Sequence, residues 1–350
     1  MTNVQMLNCK IKGIKKFEIA LGPFPRAFQI RGGEMKSQKL LSEAAPLVKK
    51  SEPETRKKFL KNLFYKEYTW AIVLLLPNLI GFLLFTLWPV LASFLLSFTE
   101  WDLLQPMKFV GIQNYINLFQ DEIFIKVFGN TLYFTIVSVP IGIVISLLLA
   151  VALNQGLRGI KFYRAAYFLP VISSMVAVAV IWQWIYNPEY GVLNYFLSVF
   201  GIEGPSWLTS TKWAMPAVIV TSIWKNVGFN MLIFLAGLQA IPESYYEAAD
   251  IDGATWLKKF RHITIPLLSP TTFFVSVMSV IGSFQVFDSV FLMTQGGPAR
   301  STSVMVHYIY ENAFQFFKMG YASAMSYVLF FIIAIITLIQ FWRQKKSQIY

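Results

Sequence analysis

Six long apolar runs, separated by short segments that carry most of the charge, constrain this chain more than any other feature. A helix needs roughly 18 to 20 apolar residues to cross a hydrocarbon core about 30 Å thick. The runs are read at Thr69–Phe98, Asn130–Leu153, Ala165–Tyr186, Trp213–Leu238, Ile263–Leu292 and Ala322–Trp342. The first is long enough to tilt or to kink at Pro77 and Pro89. Charged residues make up 14% of the chain, against about 25% in ordinary soluble domains. A membrane β-barrel would show alternating segments of about ten residues, and none occur. The expected fold is all-α, a polytopic membrane protein with six transmembrane helices.

Lysine and arginine placement orients the spans, because cytoplasmic segments near span ends are enriched in both. Lys57, Lys58, Lys61 and Lys66 precede the first span, and Arg158, Lys161 and Arg164 lie between the second and third. Lys258, Lys259 and Arg261 lie between the fourth and fifth, and Arg343, Lys345 and Lys346 follow the last. Both termini are therefore expected in the cytoplasm. This divides the chain into a basic N-terminal tail (1–68), a transmembrane domain (69–342) and a C-terminal tail (343–350). The net charge of +12 comes mostly from the first tail. It reports topology and contact with anionic lipid rather than a nucleic-acid partner. The single Cys9 excludes an internal disulfide. Residues 1–34 show neither a signal-peptide core nor helical periodicity. Arg31-Gly32-Gly33-Glu34 can be encoded by a purine-rich tract like a ribosome-binding site, so Met35 is read as the native start. The alternative is a disordered basic extension.

One polar insert, Ser244 to Ala254, lies between the fourth and fifth runs. Pro242 cannot continue the preceding helix. Ser244 followed by Glu247 fits a capping box, so a short helix is expected from about Tyr245, with Gly253 as its stop. Ala248 and Ala249 would allow close approach by another protein, and Glu247, Asp250 and Asp252 offer polar contacts. On the residues alone, a solvated loop in which Glu247 only caps its own helix fits as well.

Glu247-Ala248-Ala249, Asp252-Gly253-Ala254, Phe260, Ile263, Pro266 and Pro270 together resemble the EAA loop of permease subunits in binding-protein-dependent ABC importers. Ile265-Pro266 stands where Leu-Pro is usual. The resemblance runs from about Thr69 to the C-terminus. Trp88-Pro89, Leu96-Ser97-Phe98-Thr99, Phe109-Val110-Gly111 and Asn114-Tyr115 are similar to the carbohydrate-importer branch, as are Phe162, Arg164 and Phe168-Leu169-Pro170. Phe284 to Asp288, Gly296-Gly297-Pro298 and Gly320 to Ala324 resemble the maltose-permease-type member of the paired sugar permeases. The likeness implies the type I permease fold, with residues 242–270 as the coupling loop. It implies that Glu247, Ala248, Ala249, Asp252, Gly253 and Ala254 dock on a cytoplasmic ATPase. It also implies a second permease subunit, two ATPase subunits and an extracytoplasmic solute-binding protein, in a bacterial or archaeal inner membrane.

Polar residues within spans are costly and mark a solute path by default. The fourth run carries Ser222, Trp224, Lys225, Asn226 and Asn230 and is interrupted by Gly228; the fifth carries Gln285 and Asp288. Sugar hydroxyls need donors and acceptors, and ring faces pack on aromatic side chains. By the resemblance, Asn226, Phe229, Asn230, Phe284, Gln285 and Asp288 are the substrate-binding candidates. Inter-helix hydrogen bonding is their alternative role. The sequence does not choose between an acidic partner and snorkelling for Lys225. Trp182, Trp184 and Tyr186 are expected as an interfacial aromatic belt.

No G-x-x-x-x-G-K-[ST] occurs, so ATP and Mg²⁺ belong to the partner ATPases and no cofactor is expected in this chain. His262 and His307 are too far apart to form a metal site, and no catalytic constellation is present. The reading is an importer subunit for a sugar or oligosaccharide that is not itself an enzyme. The alternatives are an importer of glycerol phosphate or another small polar solute, and an ATPase-independent secondary carrier, which leaves the EAA loop unexplained. Mass spectrometry of the N-terminal peptide from the native host checks the start site; a peptide from residues 1–34 excludes Met35.

Overall fold

The computed structural model describes residues 67–155 and 158–347. The basic tail through Lys66, with Cys9 and Met35, lies outside the described residues. The chain divides into two compact units, residues 1–75 and 76–350. Of the first, Glu67–Leu75 are described and are helical throughout.

Helix α1 (Glu67–Phe82) leads through a π-helical turn at Leu83–Leu87 into α2 (Trp88–Leu96). The turn sits just before Pro89, which has no N–H to donate, and the Trp88 N–H reaches back five residues to the Leu83 carbonyl. Phe85 and Trp88 remain 82% and 67% exposed. A two-stranded hairpin follows, β1 (Thr99–Glu100) antiparallel to β2 (Lys108–Phe109), and then α3 (Gln113–Gln120). Asn114 holds the strand start to α3 by donating to the carbonyls of Ser97 and Thr99, at 2.9 and 2.8 Å.

Helix α4 (Glu122–Ala152) is the longest element here and the hub of the packing. Its buried positions, Phe124, Val127, Thr131, Phe134, Thr135, Ser138, Ser146 and Ala150, recur at helical spacing. Next come α5 (Ile160–Ile172) and α6 (Met175–Ile185), α7 (Val192–Val199), α8 (Ala214–Gln239) and α9 (Ser244–Ile251). The chain continues with α10 (Trp256–Leu267), α11 (Ser269–Phe284), α12 (Asp288–Met293), α13 (Met305–Tyr310) and α14 (Met319–Ser347).

Four segments are long and apolar enough to cross a membrane: Trp70–Leu96, Glu122–Ala152, Ala214–Gln239 and Met319–Gln344. The third and fifth runs, expected as continuous spans, are bent pairs. Helices α5 and α6 meet at 100°, and α10 and α11 at 64°. Counting each pair as one crossing gives six. Pro170 lies just before the first bend, and Pro266 and Pro270 flank the second, where each removes a ladder donor. The fifth run also ends at Phe284 instead of Leu292, with α12 as a separate helix. Conversely, α8 passes through Gly228 without a break.

One end of the bundle is closed by Asp121. It caps α4 by accepting from the Ile123 N–H at 2.8 Å, and it accepts the hydroxyls of Tyr308 and Tyr321 at 2.7 and 2.9 Å. Helices α4, α13 and α14 thus meet on one carboxylate. Partial burial alone would raise its pKa; the two hydroxyls and the N–H groups of Ile123 and Phe124 outweigh this and hold it below the ordinary value. A folded pKa below the unfolded one contributes stability that is present above the ordinary carboxylate range and lost as pH falls through the folded value. Asp121→Ala should therefore lower stability at neutral pH by about 1–3 kcal/mol. A thermal melt in detergent checks this, and the gap from wild type should narrow under acid.

Candidate functional site

A cavity of about 370 Å³ opens between α4, α8 and the end of α11. Helix α4 contributes Phe134, Ser138 and Gly142, and α8 contributes Ser222, Lys225, Asn226, Phe229 and Asn230. Helix α11 gives Met278, Ser279 and Ser283, and the break after it gives Gln285, Val286, Phe287 and Asp288. The fold thus brings together five of the six candidates: Asn226, Phe229, Asn230, Gln285 and Asp288.

Phe284 is the exception. It is 1% exposed and packs in the core with Leu118, Phe124, Val127 and Met305. Helix α11 ends at this residue and Gln285 is its C-cap, so Phe284 follows the helix's buried face and Phe287 takes the aromatic place in the lining. Phe287 stacks on Phe291, with ring centroids 5.1 Å apart.

The lining keeps unused hydrogen-bonding capacity. The Asn226 amide donates to the Ser222 carbonyl at 2.9 Å, which leaves its oxygen without a protein partner among the described residues. The Asn230 amide donates to Ser279 Oγ at 3.3 Å, linking α8 to α11. Ser283 donates to Thr135 Oγ1 at 3.0 Å and braces α11 against α4 behind the cavity. The Asp288 carboxylate has no hydrogen bond among the described residues.

Lys225, left open in the sequence, donates to the carbonyls of Ser173, Pro170 and Val171 at 2.9, 3.2 and 3.4 Å. These lie at the break between α5 and α6. A lone cation inside an apolar run was the available signal, but its partners are 52 to 55 residues away in sequence. One turn further on, Gly228 meets α5: a Cβ there would strike the Tyr167 carbonyl oxygen and press on the Phe168 backbone. It is a close-approach glycine of the kind that lets membrane helices pack backbone to backbone.

Of the expected aromatic belt, only Trp184 is outward, at 52% exposure. Tyr186 is buried, with its hydroxyl donating to the Ala217 carbonyl at 3.1 Å, and Trp182 packs against Tyr186 and Trp224. A tyrosine whose hydroxyl finds a partner is stable in a core.

The polar insert forms α9, but not through the expected capping box. Glu243 is the N-cap, without a side-chain cap bond, and Ser244 is already helical. The N–H groups of Tyr246 and Glu247 bond to the Glu243 carbonyl, so the helix starts one residue early. At the other end Gly253 has φ +70°, and the N–H groups of Ala254 and Gly253 return to the carbonyls of Ala249 and Asp250. This is a Schellman closure, and the left-handed residue favours glycine. Glu247, Ala248, Asp252 and Gly253 are exposed, and Ala249 and Ala254 half-buried. Tyr246 bonds Thr264 at 3.0 Å, and Lys259 pairs with Asp250 at 2.7 Å, fastening α9 to α10. Tyr245, Ile251, Trp256 and Leu257 add outward apolar side chains that the sequence reading passed over, Ile251 at 88% exposure.

A bundle of broken and unbroken apolar helices around a cavity set with a few polar side chains, with a short exposed helix fastened to α10, has the architecture of a membrane permease. The chain belongs to the family of binding-protein-dependent transport system inner membrane components, whose signature matches residues 124–346. It is 36% identical over 292 residues to the lactose transport system permease protein LacF of Rhizobium radiobacter, covering 81% of this chain and 96% of the relative. A solved bacterial ABC transporter involved in import of the acidic polysaccharide alginate matches with TM-score 0.73 at 28% identity, over 83% of this chain and 99% of that one. A second structure, a bacterial alginate ABC transporter in complex with an alginate pentasaccharide-bound periplasmic protein, matches with TM-score 0.71 at 27% identity, over 81% of this chain and 94% of that one.

The Gly228 contact yields a direct test. Gly228→Ala forces α8 and α5 apart and should cost about 1–3 kcal/mol, as overpacking does elsewhere. Thermal stability in detergent measures the loss, and Gly282→Ala, where a Cβ meets nothing within 4 Å, is the control.

Proposed function

We propose that this chain is one permease subunit of an ABC importer that carries a sugar or oligosaccharide. The observation that supports it best is the cavity itself. Amide and carboxylate groups of Asn226, Asn230, Gln285 and Asp288 converge with the rings of Phe229 and Phe287 on about 370 Å³ of space. Small-ligand sites commonly measure about 300–1,000 Å³ and are lined mainly by apolar side chains with a few placed polar groups. A relative named for lactose and solved relatives that import alginate support a carbohydrate cargo.

In this reading residues 69–342 form the permease domain, residues 242–270 the coupling loop, and both termini face the cytoplasm. A second permease subunit completes the pathway. Two ATPase subunits hold ATP and Mg²⁺ below it, and an extracytoplasmic solute-binding protein delivers cargo. Glu247, Ala248, Ala249, Asp252, Gly253 and Ala254 form the surface that the ATPase grips. Closure of the ATPase pair then moves α9, and the spans exchange outward-open for inward-open arrangements.

The two sites should separate kinetically. With the complex in proteoliposomes and its solute-binding protein outside, Asn226→Ala should raise the solute concentration for half-maximal uptake. One lost neutral hydrogen bond, about 0.5–1.5 kcal/mol, corresponds to roughly 2- to 12-fold. Glu247→Ala and Gly253→Val should lower maximal uptake with little change in that concentration. Uptake by this chain without an ATPase, or unaltered uptake in both coupling variants, would falsify the proposal.

A further inference from the structure

The third span is broken by 100° at Ser173–Ser174, and the break faces the cavity: Met175, the first residue of α6, is in the lining. A helix that stops inside a membrane leaves carbonyls without ladder partners, and hydrocarbon offers none. The end of α5 finds two. Ser173 Oγ donates to the Leu169 carbonyl at 2.9 Å, and Lys225 donates to the carbonyls of Ser173, Val171 and Pro170, the last of which also accepts the Ser173 N–H. An ammonium has three N–H donors, and three carbonyls take them. The positive charge also sits at the negative end of the α5 dipole.

That arrangement settles what Lys225 offers to a solute. It is the one basic side chain of the lining, and Asp288 is the one acidic side chain. Lys225 and Asp288 line the same cavity, and no hydrogen bond joins them. With its donors spent on α5, Lys225 has none left for an incoming anion. Asp288 keeps all of its acceptor capacity and stands with the free oxygen of Asn226 in the same lining.

Building on the carbohydrate reading above, we propose that Lys225 is a positioning residue. It pins the broken third span as a wall of the cavity, and so leaves Asp288 as a free acceptor that selects an uncharged, hydroxyl-rich solute over an anionic one. A carboxylate accepts hydroxyl donors strongly, whereas a carboxylate or phosphate on the solute brings no donor to Asp288 and finds the Lys225 N–H groups already taken by carbonyls. The cargo of this chain is then a neutral glycoside, unlike the acidic polysaccharide of the structural relative.

Two readouts on the intact complex in nanodiscs, with Cys9 replaced by serine, test the two halves. First, spin labels at Tyr163→Cys on α5 and Ile181→Cys on α6 report the bend. Lys225→Met should broaden and shift the distance distribution, and Lys225→Arg, which keeps a charged multi-donor head, should restore it. A Lys225→Met distribution like the parent's overturns the positioning role. Second, maleimide modification of Met278→Cys in the cavity is followed with lactose or digalacturonate added. Lactose should slow labelling several-fold and digalacturonate should not, with Asp288→Asn narrowing the difference. Equal or better protection by digalacturonate overturns the selection for uncharged solutes. Protection by neither counts against the cavity as a carbohydrate site, a failure that leaves the spin-label outcome standing and so is told apart.

Discussion

An unpaired backbone polar group in hydrocarbon costs several kcal/mol, so a membrane chain may leave helical geometry only where something else satisfies the freed groups. The breaks in this structure follow that rule. Before Pro89 the ladder widens into a π-helical turn instead of stopping. At the end of α5 the freed carbonyls take bonds from Ser173 and Lys225. At the bend into α11 the Leu268 N–H still reaches the Thr264 carbonyl, and Leu268 itself is buried. After Phe284 the chain leaves helical form beside the cavity, where polar backbone can meet solute or water. Two of these breaks, at Ser173–Ser174 and after Phe284, border the cavity, where freed polar groups are tolerated.

The same rule shapes α4. Its inner face presents short polar side chains to neighbouring elements at nearly every turn. Asn130 bonds the carbonyls of Arg300 and Ser303, and Thr131 accepts the Met305 N–H. Thr135 accepts Ser283, and Ser146 bonds the Val227 carbonyl on α8. Lipid tails are as apolar as leucine, so burial alone cannot choose partners for a membrane helix; small residues and hydrogen bonds do. Lys126 and Asn130 thereby hold the Gly297–Ser303 loop against α4.

The spans and their approximate limits were legible because a membrane core demands length and apolarity, which a sequence displays directly. The two bends were not, although Pro170, Pro266 and Pro270 were in plain view. A proline marks a weak point in the ladder, and neighbouring helices decide whether it becomes a 100° break or a slight curve. Of the five candidates that line the cavity, Asn226, Asn230, Gln285 and Asp288 stand out as polar groups in apolar runs, whereas Phe229 came from the family resemblance alone. Phe284 was misplaced because its direction depended on where α11 ended, a matter of one residue. The role of Lys225 and the close approach at Gly228 depend on α5, more than 50 residues earlier, and one sequence carries no signal across that interval.

The geometry around α8 joins the cavity to the surface helix through two routes. Along the chain, α8 carries Asn226 and Asn230 and then runs about 14 Å from Asn230 to its end at Gln239, at 1.5 Å per residue. Only four residues separate Gln239 from α9. Through space, α9 is held to α10 by Tyr246 with Thr264 and by Asp250 with Lys259. Helix α10 turns by 64° into α11, which carries Ser279 and Ser283 to the other side of the cavity. A push on α9 therefore reaches one cavity wall along an unbroken helix and the other across a bend. The two walls are thus reached through unequal linkages, and the Asn230–Ser279 bond ties them to each other. That property suits a proposed transport cycle in which one ATPase stroke must both open and close a path.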